Sequence, residues 1–301
     1  MVQPLSSAMK LPSFISITLL GIKCQPRAIL SLGFIGIALL ASLSSASAVL
    51  VDNTTYQTTE PTSSTVSNWD TGWGESGITG WDYVGSVGGA SGVYLGNGWV
   101  ITAAHVDLSS GTYTLNGVTY SIVAGSAVSS GSADITMFQI SSEPDLPTLS
   151  ISSSTPISFS TEVVMVGYGG GAKSWGLNTV TSTSVQVAVS TYTTTDFATT
   201  YGTVSSQGRN RTTVTNTAEA VTGDSGGAAF AYNSSTGTWS LVGLMEAVNS
   251  NGDTYFIQLS SYYSFISSTL ATVPEPSSLT LLSLAGAISA GMAGRRIRRT
   301  R

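Results

Sequence analysis

Gly92-Val93-Tyr94-Leu95-Gly96-Asn97-Gly98-Trp99-Val100-Ile101-Thr102 consists of two short apolar runs joined at Asn97-Gly98. Asn-Gly between such runs predicts a β-hairpin, because a tight two-residue turn needs positive φ at both central positions and these residue types tolerate it. Short β-type runs recur at 112–115, 118–123, 135–140, 162–166, 184–189, 211–217, 228–232 and 239–248. Gly and Ser turns separate them, and the 3.6-residue apolar period of a helix is scarce. The chain therefore reads as all-β, a barrel or a sandwich. Residues 255–266 are expected to add a closing strand and a short terminal helix.

Only 9 % of the 301 residues are charged, while Ser, Thr and Gly abound, which suits a β-rich extracellular protein better than a helical cytosolic one. That length supports one or two domains with a sizeable core. Between Val49 and Val273 only Lys173, Arg209 and Arg211 oppose fifteen acids. So acidic a span repels polyanions, and no nucleic-acid partner is expected. The sequence offers no metal-ligand cluster, phosphate loop or nucleotide fingerprint, so no metal and no cofactor are expected. The one cysteine, Cys24, precedes the span, which leaves no disulfide within it.

Thr222-Gly223-Asp224-Ser225-Gly226-Gly227 packs a serine among glycines. Such a turn can hold Ser225 outward and aim the backbone N–H groups of Gly223 and Ser225 at one point. Two donors aimed where negative charge develops on a carbonyl oxygen form an oxyanion hole. A serine hydroxyl is a poor nucleophile at neutral pH and needs a base beside it. The only histidine, His105, lies in Thr102-Ala103-Ala104-His105, just past the hairpin.

Gly223-Asp224-Ser225-Gly226-Gly227 and Thr102-Ala103-Ala104-His105 together resemble the trypsin/chymotrypsin family of serine proteases, over about residues 80–268. The resemblance implies two antiparallel six-stranded Greek-key β-barrels, about 80–150 and 155–268, with the site between them. It implies Ser225 as nucleophile, His105 as general base and an acid that holds the imidazole's tautomer. Asp134 fits that third role, because Ser132-Ala133-Asp134-Ile135-Thr136-Met137-Phe138 resembles the family's Asp-Ile-Ala-Leu segment. Asp107 lies too near His105, and Asp145 follows the apolar strand rather than leading into it. Gly167-Tyr168-Gly169 resembles the family's Gly-Trp-Gly segment. Glu219, six residues before Ser225, falls at the base of the family's specificity pocket, where an acid favours Lys or Arg; a surface carboxylate is the other reading. Glu246 stands where the family has a small serine. In the family the acid before the nucleophile, here Asp224, pairs with a freshly cut, buried N-terminal amine. No Ile-Val-Gly-Gly start is present, and Val84-Gly85-Ser86-Val87-Gly88-Gly89 is the nearest text, so Asp224 is expected to meet an internal donor.

Lys23 and Arg27 precede the apolar run 28–43, and Ala46-Ser47-Ala48 follows. This predicts a secretory signal over 1–48, cut after Ala48, with an uncleaved anchor as the alternative. The Thr/Ser-rich stretch 49–79 reads as a linker or propeptide. Val273-Pro274-Glu275-Pro276, the apolar run 279–294 and five terminal arginines resemble a PEP-CTERM sorting signal over 269–301. That resemblance implies an exosortase-type processing enzyme as partner. The apolar run, about 24 Å as a helix, falls short of a ~30 Å hydrocarbon core and suits a transient inner-membrane hold. The reading as a whole is a monomeric serine endopeptidase acting on protein or peptide, secreted or at the surface of a bacterium. A catalytically silent surface or matrix protein of the same fold and an esterase with the same triad are its rivals.

Overall fold

The computed structural model describes residues 2–4, 48–52 and 55–272. The rest of the expected leader, and the sorting signal from residue 273 onward, lie outside the described residues. The chain is mostly β, with one short α-helix, Tyr263–Leu270, among them.

The first sheet has seven antiparallel strands. Ala90–Gly96 and Trp99–Thr102 form the expected hairpin, and Asn97 and Gly98 take φ of 51° and 75°. Val84–Val87 and Thr136–Gln139 flank that hairpin, and Thr112–Leu115 with Val118–Ser121 extends the sheet beyond Val84–Val87. The Val123 N–H donates to the Gln139 carbonyl (2.8 Å) and the Ser141 N–H to the Ser121 carbonyl (2.9 Å), so the sheet curls back on itself.

The second sheet has eight strands, among them Glu162–Gly167, Tyr192–Thr200, Ala228–Asn233, Thr238–Asn249 and Asp253–Gln258. The expected six strands per barrel are therefore corrected to sheets of seven and eight. Backbone edges account for two of the three extra members. Val128–Ser129 adds two residues beside Thr136–Gln139, and Val2–Pro4 pairs antiparallel with Ala247–Asn249.

One apolar cluster runs through both sheets and includes Val93, Ile101, Phe138, Val166, Phe230 and Leu241. The stretch expected to be linker or propeptide contributes to it. Val66, Trp69 and Trp73 are buried there, and Val49 and Val51 join a second cluster with Met165 and Phe197. Trp69 meets Trp73 and Trp239 edge-on at 5.0 and 5.1 Å, and Trp73 stacks on Trp239 at 5.3 Å. Composition disguised this segment, because its few anchors sit among many exposed Thr and Ser. Burying an indole outweighs several exposed hydroxyls in fixing a segment's place. Trp69→Ala should cost about 3–5 kcal/mol, read as a lowered denaturant midpoint with an unchanged slope. A shift within error would mean that this segment is not part of the cooperative unit.

Candidate active site

Strand register brings the first two side chains together. Thr136 pairs with Thr102 across antiparallel strands. The segment leaving Thr102 and the segment entering Thr136 therefore emerge at the same end of the sheet. His105 lies three residues past the first and Asp134 two residues before the second. Asp134 is fully buried and holds His105 twice. Its Oδ1 accepts the His105 backbone N–H at 2.8 Å, and its Oδ2 meets Nδ1 at 2.5 Å. A carboxylate only accepts, so Nδ1 carries the ring proton and Nε2 is left as an acceptor. Nε2 lies 2.8 Å from Ser225 Oγ. Three side chains from distant segments thus form one continuous hydrogen-bonded line.

Ser225 sits in a turn clamped from both sides. The Gly226 N–H donates to the Met245 carbonyl (2.8 Å), and the Gly227 N–H to Asp224 (2.8 Å). From the first sheet, the Ser91 N–H donates to the Ser225 carbonyl at 2.9 Å. Gly226 has φ of 78°, and a Cβ there would run into Thr102 Oγ1 and the Ser91 carbonyl. Only glycine lets the turn approach the first sheet this closely. Gly223, with φ of 99°, packs against Gly169 and Gly170. Among the described residues the N–H groups of Gly223 and Ser225 have no acceptor, although Ser225 is fully buried. Buried backbone donors are nearly always paired, so these two are available to an incoming oxygen.

Asp224 points the other way, into the protein, and is fully buried. Its Oδ1 accepts the Gly169 N–H (2.9 Å) and its Oδ2 the Val221 N–H (2.8 Å). Burial pushes its carboxyl up to about 7, against the pull of the Val221, Gly169 and Val49 N–H groups. The expected internal donors are therefore backbone amides. Ala48 and Val49 are both fully buried, and the Ser174 hydroxyl donates to the Val49 carbonyl at 3.2 Å. The residues at the expected leader junction thus lie beside Asp224, a neighbour that the sequence did not reveal.

Glu219 shares none of the hydrogen bonds that join Asp134, His105 and Ser225. It lies on the short strand Ala218–Glu219, paired with Leu50–Val51, half-buried and close to Gly252. Burial raises its carboxyl. Glu246 is fully buried and accepts the Thr194 hydroxyl at 2.9 Å. Sequence reasoning missed Ser91 and Thr194, each of which accepts a backbone N–H, from Tyr168 and from Asp134. Nothing in a Ser/Thr-rich chain distinguishes them from exposed hydroxyls. Among the described residues no group of His, Cys, Asp and Glu is arranged to hold a metal ion.

No curated protein matches this chain. Similar solved structures include the NS6 protease of murine norovirus 1, 18% identical, with a TM-score of 0.43, covering 60% of this chain and 90% of that one. The Rv3671c protease of M. tuberculosis is similar in its inactive form, at 14% identity and a TM-score of 0.47, covering 63% and 90%. Its active form gives 14% identity and a TM-score of 0.45, covering 64% and 79%. The profile of the trypsin-like peptidase domain matches residues 90–244, just over half of the sequence and a span that includes His105, Asp134 and Ser225. The chain belongs to the trypsin-like peptidase domain family.

Proposed function

We propose that this peptidase-family chain is an exported serine endopeptidase. The observation that carries the reading is the line from Asp134 through His105 to Ser225 Oγ, with contacts of 2.5 and 2.8 Å. His105 takes the Ser225 proton as Oγ attacks the substrate carbonyl. Negative charge then develops on the carbonyl oxygen, where the N–H groups of Gly223 and Ser225 receive it. The imidazolium, held by Asp134, returns the proton to the leaving amine. Water repeats the cycle on the acyl-enzyme. Met245, whose carbonyl and N–H hold Gly226 and Gly227, leads directly to Ala247–Asn249. That edge takes Val2–Pro4 as an antiparallel partner, which supports an extended peptide as the substrate. Glu219 favours Lys or Arg at the scissile position if its carboxylate reaches the pocket.

A fluorophosphonate should label Ser225, and Ser225→Ala and His105→Ala should abolish both labelling and peptide cleavage. Asp134→Asn should lower kcat about 10⁴-fold, because the imidazole then loses its correct tautomer. Ester turnover without peptide cleavage would favour an esterase. Absence of labelling would leave the silent surface protein.

Export follows from the leader expected over 1–48, and surface sorting from the segment expected over 269–301. Cutting after Ala48 turns the Val49 N–H into an ammonium beside the buried Asp224. That matches the amine pairing which the family resemblance implies. N-terminal sequencing of the exported protein should therefore begin Val49-Leu50-Val51, and any other start refutes the junction. The uncut chain carries a sign that can be checked. An acid raised from its ordinary value to about 7 binds more protons folded than unfolded between those values. Its stability should fall as pH rises through that window. The cut chain, with its ammonium next to Asp224, should lose that slope, as should Asp224→Asn.

A further inference from the structure

The proposed reaction leaves two buried acids without a role. Asp196 and Glu246 are both fully buried. They stand on neighbouring parts of the second sheet, in strands Tyr192–Thr200 and Thr238–Asn249. Their carboxyls face each other within hydrogen-bonding reach. Yet both oxygens of Asp196 and Oε2 of Glu246 find no donor among the described residues. Two carboxylates cannot donate to one another, whereas a carboxylic acid can donate to a carboxylate.

The pair connects to the triad through one hydroxyl. Thr194 lies two residues before Asp196 and therefore on the same strand face. It donates to Glu246 Oε1 at 2.9 Å and accepts the Asp134 backbone N–H at 3.1 Å. Asp134 is the residue that fixes His105 twice. Thr194 is fully buried, so it has no water to replace either partner.

We propose that Asp196 and Glu246 share a single proton and serve, through Thr194, as a positioning pair for Asp134. The surroundings favour that proton. The segment before Thr136–Gln139 contributes the Asp134 charge, strand Asp253–Gln258 contributes Tyr255 with Asp253 beside it, and strand Ser182–Val189 contributes no titratable group. No cation faces the pair on these strands, and the imidazole stands on the far side of Asp134. Burial first, with the Asp134 charge adding to it, raises both acids above the ordinary carboxylate range; the contact with Asp196 raises Glu246 further, while the hydrogen bond from Glu246 pulls Asp196 back down. With one proton between them, the pair sets a single negative charge rather than two beside Asp134. Loss of that proton in alkali places two like charges together, from the two strands that flank Asp253–Gln258, and disturbs the Thr194 support.

The inference rests on the serine-hydrolase reading, and the test separates the two. His105→Ala and Ser225→Ala serve as controls for that reading. Glu246→Gln keeps the shape, accepts from Thr194 through Oε1 and donates to Asp196 at every pH. It should retain kcat at neutral pH and remove the alkaline decline of the parent. Glu246→Ala, which leaves Thr194 without its acceptor, should lower kcat by about ten- to a hundredfold with KM little changed. Infrared difference spectra of the parent should contain the carbonyl stretch of a buried protonated carboxyl, lost in Glu246→Gln. The proposal is overturned if Glu246→Gln is as impaired as Glu246→Ala at neutral pH, if the alkaline decline persists unchanged, or if the parent lacks the band. If Glu246→Ala does not fold, Glu246→Gln and the band decide. If the controls retain activity, the hydrolase reading falls and the band alone judges the proton.

Discussion

Ser91 ties the two sheets together at the point where the site forms. Its N–H donates to the Ser225 carbonyl at 2.9 Å, and its carbonyl accepts the Thr102 hydroxyl at 2.7 Å. Its own hydroxyl accepts the Tyr168 N–H at 2.8 Å and reaches the Gly223 carbonyl at 3.4 Å. The first sheet owns the imidazole and the second owns the hydroxyl. A nucleophile and its base work only when held within hydrogen-bonding reach, so the relative placement of the sheets is itself a chemical constraint. Ser91 sets that placement through backbone contacts, which vary less than contacts between long side chains. The glycine at 226 is the counterpart of this junction, since any side chain there would hold the sheets apart.

The parts of the structure readable in the sequence are those governed by local rules. Asn97-Gly98 specifies its turn regardless of surroundings, and the strands on either side follow from it. The expected strands at 112–115 and 162–166 are observed as Thr112–Leu115 and Glu162–Gly167. His105, Asp134 and Ser225 were readable because each lies in a short recognisable context. The structure brings all three into one line, although no spacing rule could have supplied the distances.

What stayed hidden depends on partners far away in the chain. Tyr192–Thr200 reads as a polar stretch, YTTTDFATT, and nothing local marks it as a central strand. Thr194 and Asp196 can be buried there only because Glu246 and Asp134 arrive from elsewhere. An acid in a Thr-rich run normally faces water. The Gly-Ser interior of Val84–Val87 hides a strand that pairs with Ala90–Gly96 and Thr112–Leu115. Residues 60–79 were masked by composition, with three buried anchors among many exposed hydroxyls.

The interior shows how a very acidic domain manages buried charge with almost no cations. Among the described residues four acids are fully buried: Asp134, Asp196, Asp224 and Glu246. Lys173 instead donates to the Trp81 carbonyl at 2.8 Å with its ammonium 4.6 Å from the Trp81 ring. Each buried acid finds another remedy. Asp224 uses backbone N–H groups, Asp134 uses one N–H and the imidazole, and Asp196 with Glu246 leaves room for a shared proton. Backbone donors and protons, unlike ion pairs at a surface, are not screened by dissolved salt. They do depend on the backbone keeping its place, because an amide that moves cannot be replaced by a flexible side chain reaching in. The rigidity of the Ser91 junction and the electrostatics of the acids are therefore one requirement. A fold that holds its buried acids through main-chain groups must first fix the main chain.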